Sequence, residues 1–580
     1  MKNIKYTEIL KRNRLLATTV AGPACRIGVL SNIVVNQLGE VLEYCLRSRG
    51  INATVEFGNY DNITQDAARL SDCNVVIVFW EIADALDGFH ANSHYMPEPM
   101  LIEIKQRLRN EIDLTLSALR STSLVLFNAF TALPFTADEL RASSLDDMAC
   151  DLTGYVRQQS SPNVLMIETD RIIAATGLAA AVDWRQYQMA HSLYAIDFYK
   201  AYATHVTPAI ASLMGKARKV LVLDCDNTLW GGVLGEDGED GIQIGGDTPS
   251  GRAFQQVQAI VKGLQKDGVI LALCSKNNPE DVETVLQHHP NMVLRDTDFA
   301  VRRVNWEDKA GNLMAIAAEL NLGLDSLVFL DDSEFELGLV RAELPMVYCV
   351  KVPTALTEYA ATIRQMRALF FSLSQSAEDR QKTRMYQQAA ARRQAETAFT
   401  SLEDYLRSLH LQITIMTGQD VPLQRAAQLT QKTNQFNVTT RRYTETDISR
   451  FIDSPVHQVI AFSVADRFGD YGIVGLAIIE LDQTAGRARL DTFLMSCRVL
   501  GRNVETAFFQ FLRTSLGARG INTLEAEFFP TTKNAQVASL FEQFGFELTD
   551  QNEPGGRRHY VLDPTRAPKT QIDYIEVKAP

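Results

Sequence analysis

The feature that most constrains this chain is a short apolar segment that ends in two aspartates, at residues 219–226. Four consecutive apolar residues, Val220 to Leu223, predict a buried parallel strand. Ligands of open α/β sheets bind at the carboxyl ends of strands, so chemistry is expected at Asp224 and Asp226. Two carboxylates this close repel each other unless a cation lies between them, and oxygen ligands suit Mg²⁺. A strand followed by an ordinary Asp/Asn turn is the simpler alternative.

Three further motifs follow in a fixed order. A predicted strand ending at Cys274 leads into Ser275-Lys-Asn-Asn, Lys309 follows in Asn-Trp-Glu-Asp-Lys, and another predicted strand ends in Asp331-Asp332. Taken singly, Lys309 could be a solvated helix lysine and Ser275 an ordinary turn residue. Taken in order, the four segments resemble the motifs of the haloacid dehalogenase (HAD) superfamily.

In HAD chemistry the first aspartate attacks phosphorus, and the second protonates the leaving oxygen and later activates water. The resemblance therefore gives these roles to Asp224 and Asp226. A phosphate ester is anionic and repels a carboxylate, so Mg²⁺ and a positive side chain must offset the charge. The resemblance implies Mg²⁺ ligands at Asp224, Asp226 (through its main-chain carbonyl), Asp331 and Asp332, catalytic roles for Ser275 and Lys309, and substrate contacts from Thr228 and Asn277.

The intervals between these motifs are used up by the helix and strand that each crossover needs, which leaves no room for a large cap domain. The glycine-rich loop Trp230 to Pro249 is the one candidate for a local flap, because its glycines allow tight turns and hinge motion. We therefore predict an open site that admits a bulky partner or is closed by neighbouring domains.

Longer stretches sharpen the resemblance. Asp224-Cys-Asp-Asn-Thr-Leu-Trp-Gly-Gly, Cys274-Ser-Lys-Asn-Asn-Pro and Phe329-Leu-Asp-Asp-Ser are similar to the FkbH-like group, HAD subfamily IIIC. Members of that group take the glyceryl unit of 1,3-bisphosphoglycerate, remove phosphate and load glyceryl onto the phosphopantetheine thiol of an acyl carrier protein in polyketide-type biosynthesis. The resemblance implies the same transferase and phosphatase activity here. The alternative is a Mg²⁺-dependent phosphatase of a small or protein-bound phosphate, with flanking interaction domains.

Cys225 lies between the two catalytic aspartates and could accept the acyl group before passing it to a carrier thiol. Flanking carboxylates raise the pKa of a thiol, whereas Mg²⁺ and Lys309 act in the opposite direction. The simpler interpretation is that Cys225 is a small residue that fills the strand end.

Residues 1–213 alternate predicted strands and helices, which indicates a parallel α/β domain. Long relatives of the FkbH-like group carry an SGNH-hydrolase-like domain at this place. A hydrolase of that type has Gly-Asp-Ser after the first strand, whereas this chain has Leu-Ser31-Asn, and Asp183 and Asp197 lack the expected histidine three residues on. We therefore predict a non-catalytic scaffold or docking domain.

Residues 214–370 are the predicted HAD-like catalytic domain, 371–400 a helical linker, and 566–580 a tail. Between them, residues 401–565 resemble a GNAT acyltransferase domain of α+β type. There a predicted strand, Arg498-Val-Leu-Gly501-Arg502 and an apolar helix resemble the acyl-CoA-binding motif, which implies a pantetheine arm at Arg498, Gly501 and Arg502. A structural turn before a core helix is the alternative.

Composition sets the remaining limits. The 580 residues are 46% hydrophobic and 22% charged, enough for several domains with their own cores. Eight cysteines without a C-x-x-C pair indicate reduced thiols in a cytoplasmic protein. A net charge of -13 argues against nucleic acid as a partner, and no apolar run is long enough to predict a membrane partner.

Overall fold

The computed structural model describes residues 1, 4–86, 88–246, 248–373, 401–531, 533–550, 556–566 and 572–580. The chain divides into two compact units, Met1–Lys216 with Tyr443–Ser449 and Ala217–Arg442 with Arg450–Pro580. The predicted linker at 371–400 lies outside the described residues from position 374 onward. Among the helices that are described, none is both long and apolar enough to cross a membrane.

The first unit contains a five-stranded parallel sheet with helices between the strands. Its strands are β1 (Cys25–Ser31), β2 (Ala53–Phe57), β3 (Val75–Phe79), β4 (Leu124–Asn128) and β5 (Val164–Ile167), in the order β2-β1-β3-β4-β5. β3 and β4 are buried along their whole length, as uninterrupted apolar runs in a parallel sheet require. Its helices are Tyr6–Thr19, Gln37–Arg47, Ile63–Leu70, Phe89–Asn92, Glu98–Ala118, Leu133–Thr136, Ser144–Gln159, Thr169–Thr176, Leu178–Ala181, Trp184–Ala190 and Ile196–Leu213.

The second unit begins with another five-stranded parallel sheet. Its strands are β6 (Val220–Leu223), β7 (Ile270–Ser275), β8 (Phe299–Val304), β9 (Leu327–Asp331) and β10 (Tyr348–Lys351), in the order β10-β9-β6-β7-β8. β6 is central and entirely buried, with apolar side chains on both faces. This order brings the carboxyl ends of β9, β6 and β7 side by side. The helices are Leu234–Gly241, Pro249–Lys266, Pro279–His288, Lys309–Leu320, Glu334–Glu343 and Tyr359–Met366.

The rest of the second unit is built on a mixed sheet in the order β16-β17-β15-β14-β13-β12-β11-β18. Its strands are β11 (Gln412–Thr417), β12 (His457–Asp466), β13 (Gly469–Asp482), β14 (Arg487–Met495), β15 (Thr523–Phe528), β16 (Glu547–Asp550), β17 (Arg558–Leu562) and β18 (Glu576–Lys578). Its helices are Leu402–Ser408, Leu423–Lys432, Val504–Ala518 and Leu540–Gln543, and helix Glu445–Asp453 is divided between the two units after Ser449. With the two parallel sheets, this arrangement confirms the predicted multidomain α/β fold class.

One local expectation needs correction. The predicted tail at 566–580 contains β18, which pairs in parallel with β11 and so satisfies backbone groups that an edge strand would otherwise expose. The turn between β12 and β13 is short, and in it the Asp466 carboxylate accepts hydrogen bonds from the Phe468 and Gly469 amides.

Gly475 in β13 is required by the ring of Phe462, its partner in β12. A Cβ atom at Gly475 would lie 1.8 Å from that ring, which is fully buried and stacked on Phe508. We expect Gly475→Ala to lower stability by about 1–3 kcal/mol through overpacking. Thermal unfolding of the full chain measures the change. The control is Gly517→Ala, in a helix with no atom within 4 Å of the new methyl group. Equal melting temperatures for the two variants would contradict the packing argument.

Candidate active site

Three carboxylates meet where β6 and β9 end. Asp224 follows the last residue of β6, Asp331 is the last residue of β9, and Asp332 is next. One carboxylate oxygen from each lies within 4.8 Å of the others. Because the strands are parallel neighbours, their carboxyl ends bring these side chains together. The predicted side chains of Asp224, Asp331 and Asp332 therefore lie together, and the predicted metal contact of the Asp226 main-chain carbonyl stays a prediction.

Lys309 provides the positive charge in this cluster. It is the first residue of helix Lys309–Leu320 and is 4% exposed. Its ammonium lies 2.6 Å from Asp331 Oδ2 and 3.1 Å from Asp224 Oδ1. Burial would lower the pKa of Lys309, but the two aspartates outweigh it and raise the pKa. Lys309 is therefore an internal counter-ion and not a solvated helix lysine.

The negative charge of the cluster exceeds what Lys309 offsets. Burial raises the pKa of Asp224 to about 7, even though Lys309 acts in the opposite direction. Burial and the neighbouring Asp331 also raise the pKa of Asp332. Three close carboxylates with one ammonium favour the uptake of a further cation, and an all-oxygen set is what a hard divalent ion such as Mg²⁺ prefers.

Asp226 is held by hydrogen bonds to both of its carboxylate oxygens. The Trp230 indole Nε1 donates to Oδ1 at 2.9 Å, the Leu234 amide donates to the same atom at 3.1 Å, and Asn277 Nδ2 donates to Oδ2 at 2.9 Å. Sequence reasoning assigned Asn277 to the substrate and gave Trp230 no role. The structure places both on Asp226, which they fix in one orientation. The four-residue spacing from Asp226 to Trp230 was the available signal.

Ser275 and Thr228 line the same place. Ser275 ends β7 and is 1% exposed, and its hydroxyl accepts a hydrogen bond from Asn277 Nδ2 at 3.5 Å. The Thr228 hydroxyl is buried without a hydrogen-bond partner among the described residues, while the Thr228 carbonyl accepts from Tyr359. A buried unsatisfied hydroxyl costs free energy, so this group is suited to donate to an incoming oxygen.

Cys225 is fully buried and belongs to the hydrophobic core that contains Leu221 and Leu223. Burial, and then the charge of Asp224, raise the pKa of the Cys225 thiol well above its usual value. In this conformation the thiol is neutral and covered, as the strand-filling alternative describes. A role for Cys225 in acyl transfer stays a prediction.

The glycine-rich loop contains the helix Leu234–Gly241, and its base is closed by paired hydrogen bonds between Gly231 and Gln243. Beside it lies a groove of about 450 Å³ whose lining includes Asn227, Asp332 and Lys351. This groove reaches the carboxylate cluster through Asp332. Lys351, at the end of β10, adds a positive charge that the sequence did not single out.

The predicted pantetheine-binding residues form a loop with its own internal contacts. Arg498 Nε donates to the Ser496 hydroxyl at 3.1 Å, and Arg502 donates to the Arg498 carbonyl at 2.5 Å. The Arg502 guanidinium also lies 4.9 Å from the ring centre of Tyr471. Gly501 has a φ of 75°, so it adopts a left-handed turn before helix Val504–Ala518. These contacts account for the loop as a structural turn.

In the neighbouring strands β14 and β15, residues Arg487–Leu490 pair with Thr523–Ala526, and the strands separate beyond these pairs. The segment 436–438 fills the gap between them. The Val438 amide donates to Phe493 and the Met495 amide to Phe436, at 3.1 and 3.0 Å, and the Phe529 amide donates to Val438 at 2.8 Å. The chain itself therefore occupies the opening between the two strands.

In the N-terminal unit, Ser31 ends β1 and is 8% exposed. Its hydroxyl accepts a hydrogen bond from the Ile33 amide, whereas His191 Nδ1 pairs with Asp84 at 3.0 Å. Within the described residues, no histidine is hydrogen-bonded to the Ser31 hydroxyl. The prediction of a non-catalytic domain stays a prediction.

Comparison with known proteins gives a structural match. No family model matches the chain, and no curated protein matches it. The chain is similar to a crystal structure of the N-terminal part of a Bacteroides fragilis protein, which contains a phosphatase domain and was complexed with Mg, at 25% identity and a TM-score of 0.55. That match covers 64% of this chain and 100% of the other. A ribosomal-protein-S18-alanine N-acetyltransferase from Escherichia coli also matches, at 18% identity and a TM-score of 0.22, over 28% of this chain and 99% of the other.

The carboxylate cluster predicts how divalent cations bind. We expect Mg²⁺ to raise the melting temperature of the full chain, because it binds the folded state alone. Asp332→Asn removes one ligand charge and is expected to weaken Mg²⁺ binding by about tenfold or more, as measured by calorimetric titration.

The matched control is Asp281→Asn, an exposed aspartate in the first turn of helix Pro279–His288. Unchanged Mg²⁺ affinity is expected for this variant. Equal affinities for the wild type and Asp332→Asn would show that the cation binds elsewhere.

Proposed function

We propose that the chain is a Mg²⁺-dependent HAD-type enzyme that removes phosphate from an organic phosphate. The observation that carries this proposal is the buried cluster of Asp224, Asp331 and Lys309, with Asp226 held rigidly two residues after Asp224. The similarity to a phosphatase domain solved with Mg supports it. Asp224, Asp331 and Asp332 would hold the ion, which would offset the charge between the carboxylates and the substrate phosphate.

The chain's own residues provide the remaining steps. An oxygen of Asp224 forms a bond to phosphorus while the bond from phosphorus to the leaving oxygen breaks. Asp226 gives that oxygen a proton. Asp226 then takes a proton from water as the water oxygen bonds to phosphorus, which releases inorganic phosphate and restores Asp224. Lys309 would offset the charge of the phosphate oxygens, and the Thr228 hydroxyl would donate a hydrogen bond to one of them.

For the substrate, we propose 1,3-bisphosphoglycerate, with the glyceryl group loaded onto the phosphopantetheine thiol of an acyl carrier protein. The motif blocks that resemble the FkbH-like group support this assignment. The mixed anhydride of the substrate supplies an activated carbonyl: the carrier sulfur bonds to that carbon, the carbon–oxygen bond breaks and phosphate leaves. The remaining phosphate ester is then a substrate for Asp224.

A second candidate is a phosphatase of a small or protein-bound phosphate, with the flanking domains acting as interaction modules. Two observations favour it. Cys225 is covered, and segment 436–438 fills the opening between β14 and β15. Both candidates share the chemistry at Asp224 and differ in whether a thiol receives an acyl group.

The two candidates are separated by supplying the full chain with 1,3-bisphosphoglycerate, Mg²⁺ and a panel of phosphopantetheinylated carrier proteins. A transferase yields a carrier whose mass has increased by a glyceryl group, and a simple phosphatase yields phosphate alone. Asp224→Asn is expected to slow release of the ester phosphate by about a thousandfold or more, because the attacking oxygen is lost. Release of the ester phosphate at the wild-type rate would eliminate both candidates. Intact-protein mass spectrometry of Cys225→Ala in the same mixture tests the acyl-cysteine role, which a persisting glyceryl adduct on the enzyme would exclude.

The contacts of Asp226 predict a dependence on the leaving group. Trp230→Phe removes the indole donor to Oδ1 but keeps an aromatic ring in a fully buried place. We expect kcat for alkyl phosphates to fall about tenfold, because a poorly oriented acid protonates the leaving oxygen less efficiently. The loss should be smaller for p-nitrophenyl phosphate, whose leaving group needs little protonation. An equal loss with both substrates would indicate damage to the fold and not to Asp226.

A further inference from the structure

A cavity of about 410 Å³ lies in the second unit, at the amino ends of the strands of the sheet β6–β10. The carboxylate cluster lies at the carboxyl ends of the same strands. Lys219, Ile270 and Ser326 line it, and these residues lie at the amino ends of β6, β7 and β9. The other wall comes from the mixed-sheet domain, through the loop after helix Leu423–Lys432 and the end of β14. Lys219 is five residues before Asp224 on an extended strand, a separation of about 17 Å. The cavity is therefore distinct from the carboxylate cluster.

The cavity is strongly basic, although the chain as a whole has a net charge of -13. Among the residues that the structure describes, its lining contains a single acidic residue, Asp325. Its basic residues come from both domains and from separate segments of the chain: Lys219, Arg425, Lys432, Arg498 and Lys533.

The lowered pKa of Asp325 indicates a positive electrostatic potential in this cavity. Its carboxylate pairs with the Lys533 ammonium. Burial raises the pKa of Asp325, yet Lys533, together with Lys219 and Arg218, holds it below its usual value. The positive charges therefore outweigh the cost of burying this carboxylate.

The remainder of the lining is largely apolar, with Leu322, Leu429, Phe436 and Met495 facing the same space. The volume falls within the range typical of small-molecule sites, which are mostly apolar with a few charged groups that fix the ligand. Lysine and arginine side chains together are suited to a phosphate group, and the apolar surface is suited to an organic remainder.

We propose that this cavity is a second binding site, which takes an organic phosphate between the base of the phosphatase-like domain and the mixed-sheet domain. Segment 436–438 closes the opening between β14 and β15, and its first residue, Phe436, lines the cavity. Of the three residues expected to bind a pantetheine arm, Arg498 lines the cavity, whereas Gly501 and Arg502 are outside its lining. The phosphate could belong to a pantetheine arm or to a free metabolite, and the ligand chemistry is the same.

Cys497 provides a reporter inside the cavity, and Cys150, which is exposed in the other unit, provides its internal control. The experiment is alkylation of the full chain with iodoacetamide in EDTA, which suppresses turnover, with each cysteine quantified by peptide mass spectrometry. The probes are 4′-phosphopantothenate, which lacks the pantetheine thiol that iodoacetamide would alkylate, 3-phosphoglycerate and inorganic phosphate. We expect an organic phosphate to slow alkylation of Cys497 by about fivefold or more at saturation and to leave Cys150 unchanged. The more protective organic probe identifies the source of the phosphate.

Variants test the basic wall. Lys533→Met and Arg498→Gln should each weaken protection of Cys497 by about tenfold in probe concentration. Lys262→Met is the matched control, because Lys262 forms a partly buried pair with Asp298 away from the cavity. If Lys533→Met does not fold, the protection of Cys497 in Arg498→Gln alone tests the proposal. Calorimetric titration of the same probes replaces the reporter if Cys497 does not react. Absence of binding, protection retained in the cavity variants, or equal protection by inorganic phosphate would overturn the proposal.

Discussion

The structure around the candidate active site depends on one buried ammonium, that of Lys309, which lies between carboxylates from two strand ends. Asp224 and Asp331 are almost completely removed from water, and each would carry a large desolvation cost without a counter-ion. Removal of one partner of such a pair leaves an uncompensated buried charge. The positions of β6, β9 and helix Lys309–Leu320 are therefore linked by electrostatics as well as by packing. The same imbalance of three acids and one base makes the place receptive to a cation.

The central strand β6 separates two regions of opposite charge. Its carboxyl end leads into the acidic cluster, and the residue before it, Lys219, belongs to the basic cavity. Because the strand is short, entirely buried and paired on both sides, it is a rigid spacer between them. An anionic substrate at the acidic end needs a metal ion to offset the carboxylates, whereas the basic end can hold a phosphate with the chain's own side chains. The two ends therefore differ in how they would offset the charge of a phosphate group: the carboxyl end through a metal ion and the amino end through lysine and arginine side chains.

The central domain could be predicted from the sequence in some detail because its strands are buried on both faces. Uninterrupted apolar runs such as Val220–Leu223 identify such strands, and the polar residues that follow them mark one edge of the sheet. Contacts that depend on tertiary placement could not be predicted. The pairing of β18 with β11 and the insertion of 436–438 between β14 and β15 each join segments whose proximity no local pattern encodes. Asn277 donates a hydrogen bond to Asp226, which the sequence did not indicate, and its contact with substrate stays a prediction.

Cys225 shows how adjacency in sequence differs from accessibility in the fold. It lies between two site residues, yet its side chain belongs to the same core as Leu221 and Leu223, as the alternation of side chains along a strand requires. The turn after it is closed by hydrogen bonds from the Thr228 and Leu229 amides to the Cys225 carbonyl, at 3.1 and 2.7 Å. An acyl group on this thiol would have to displace core side chains and open that turn. In the glyceryl transfer proposed above, direct attack of a carrier thiol on an acyl phosphate held at the carboxyl ends of the strands requires neither change and is the simpler route.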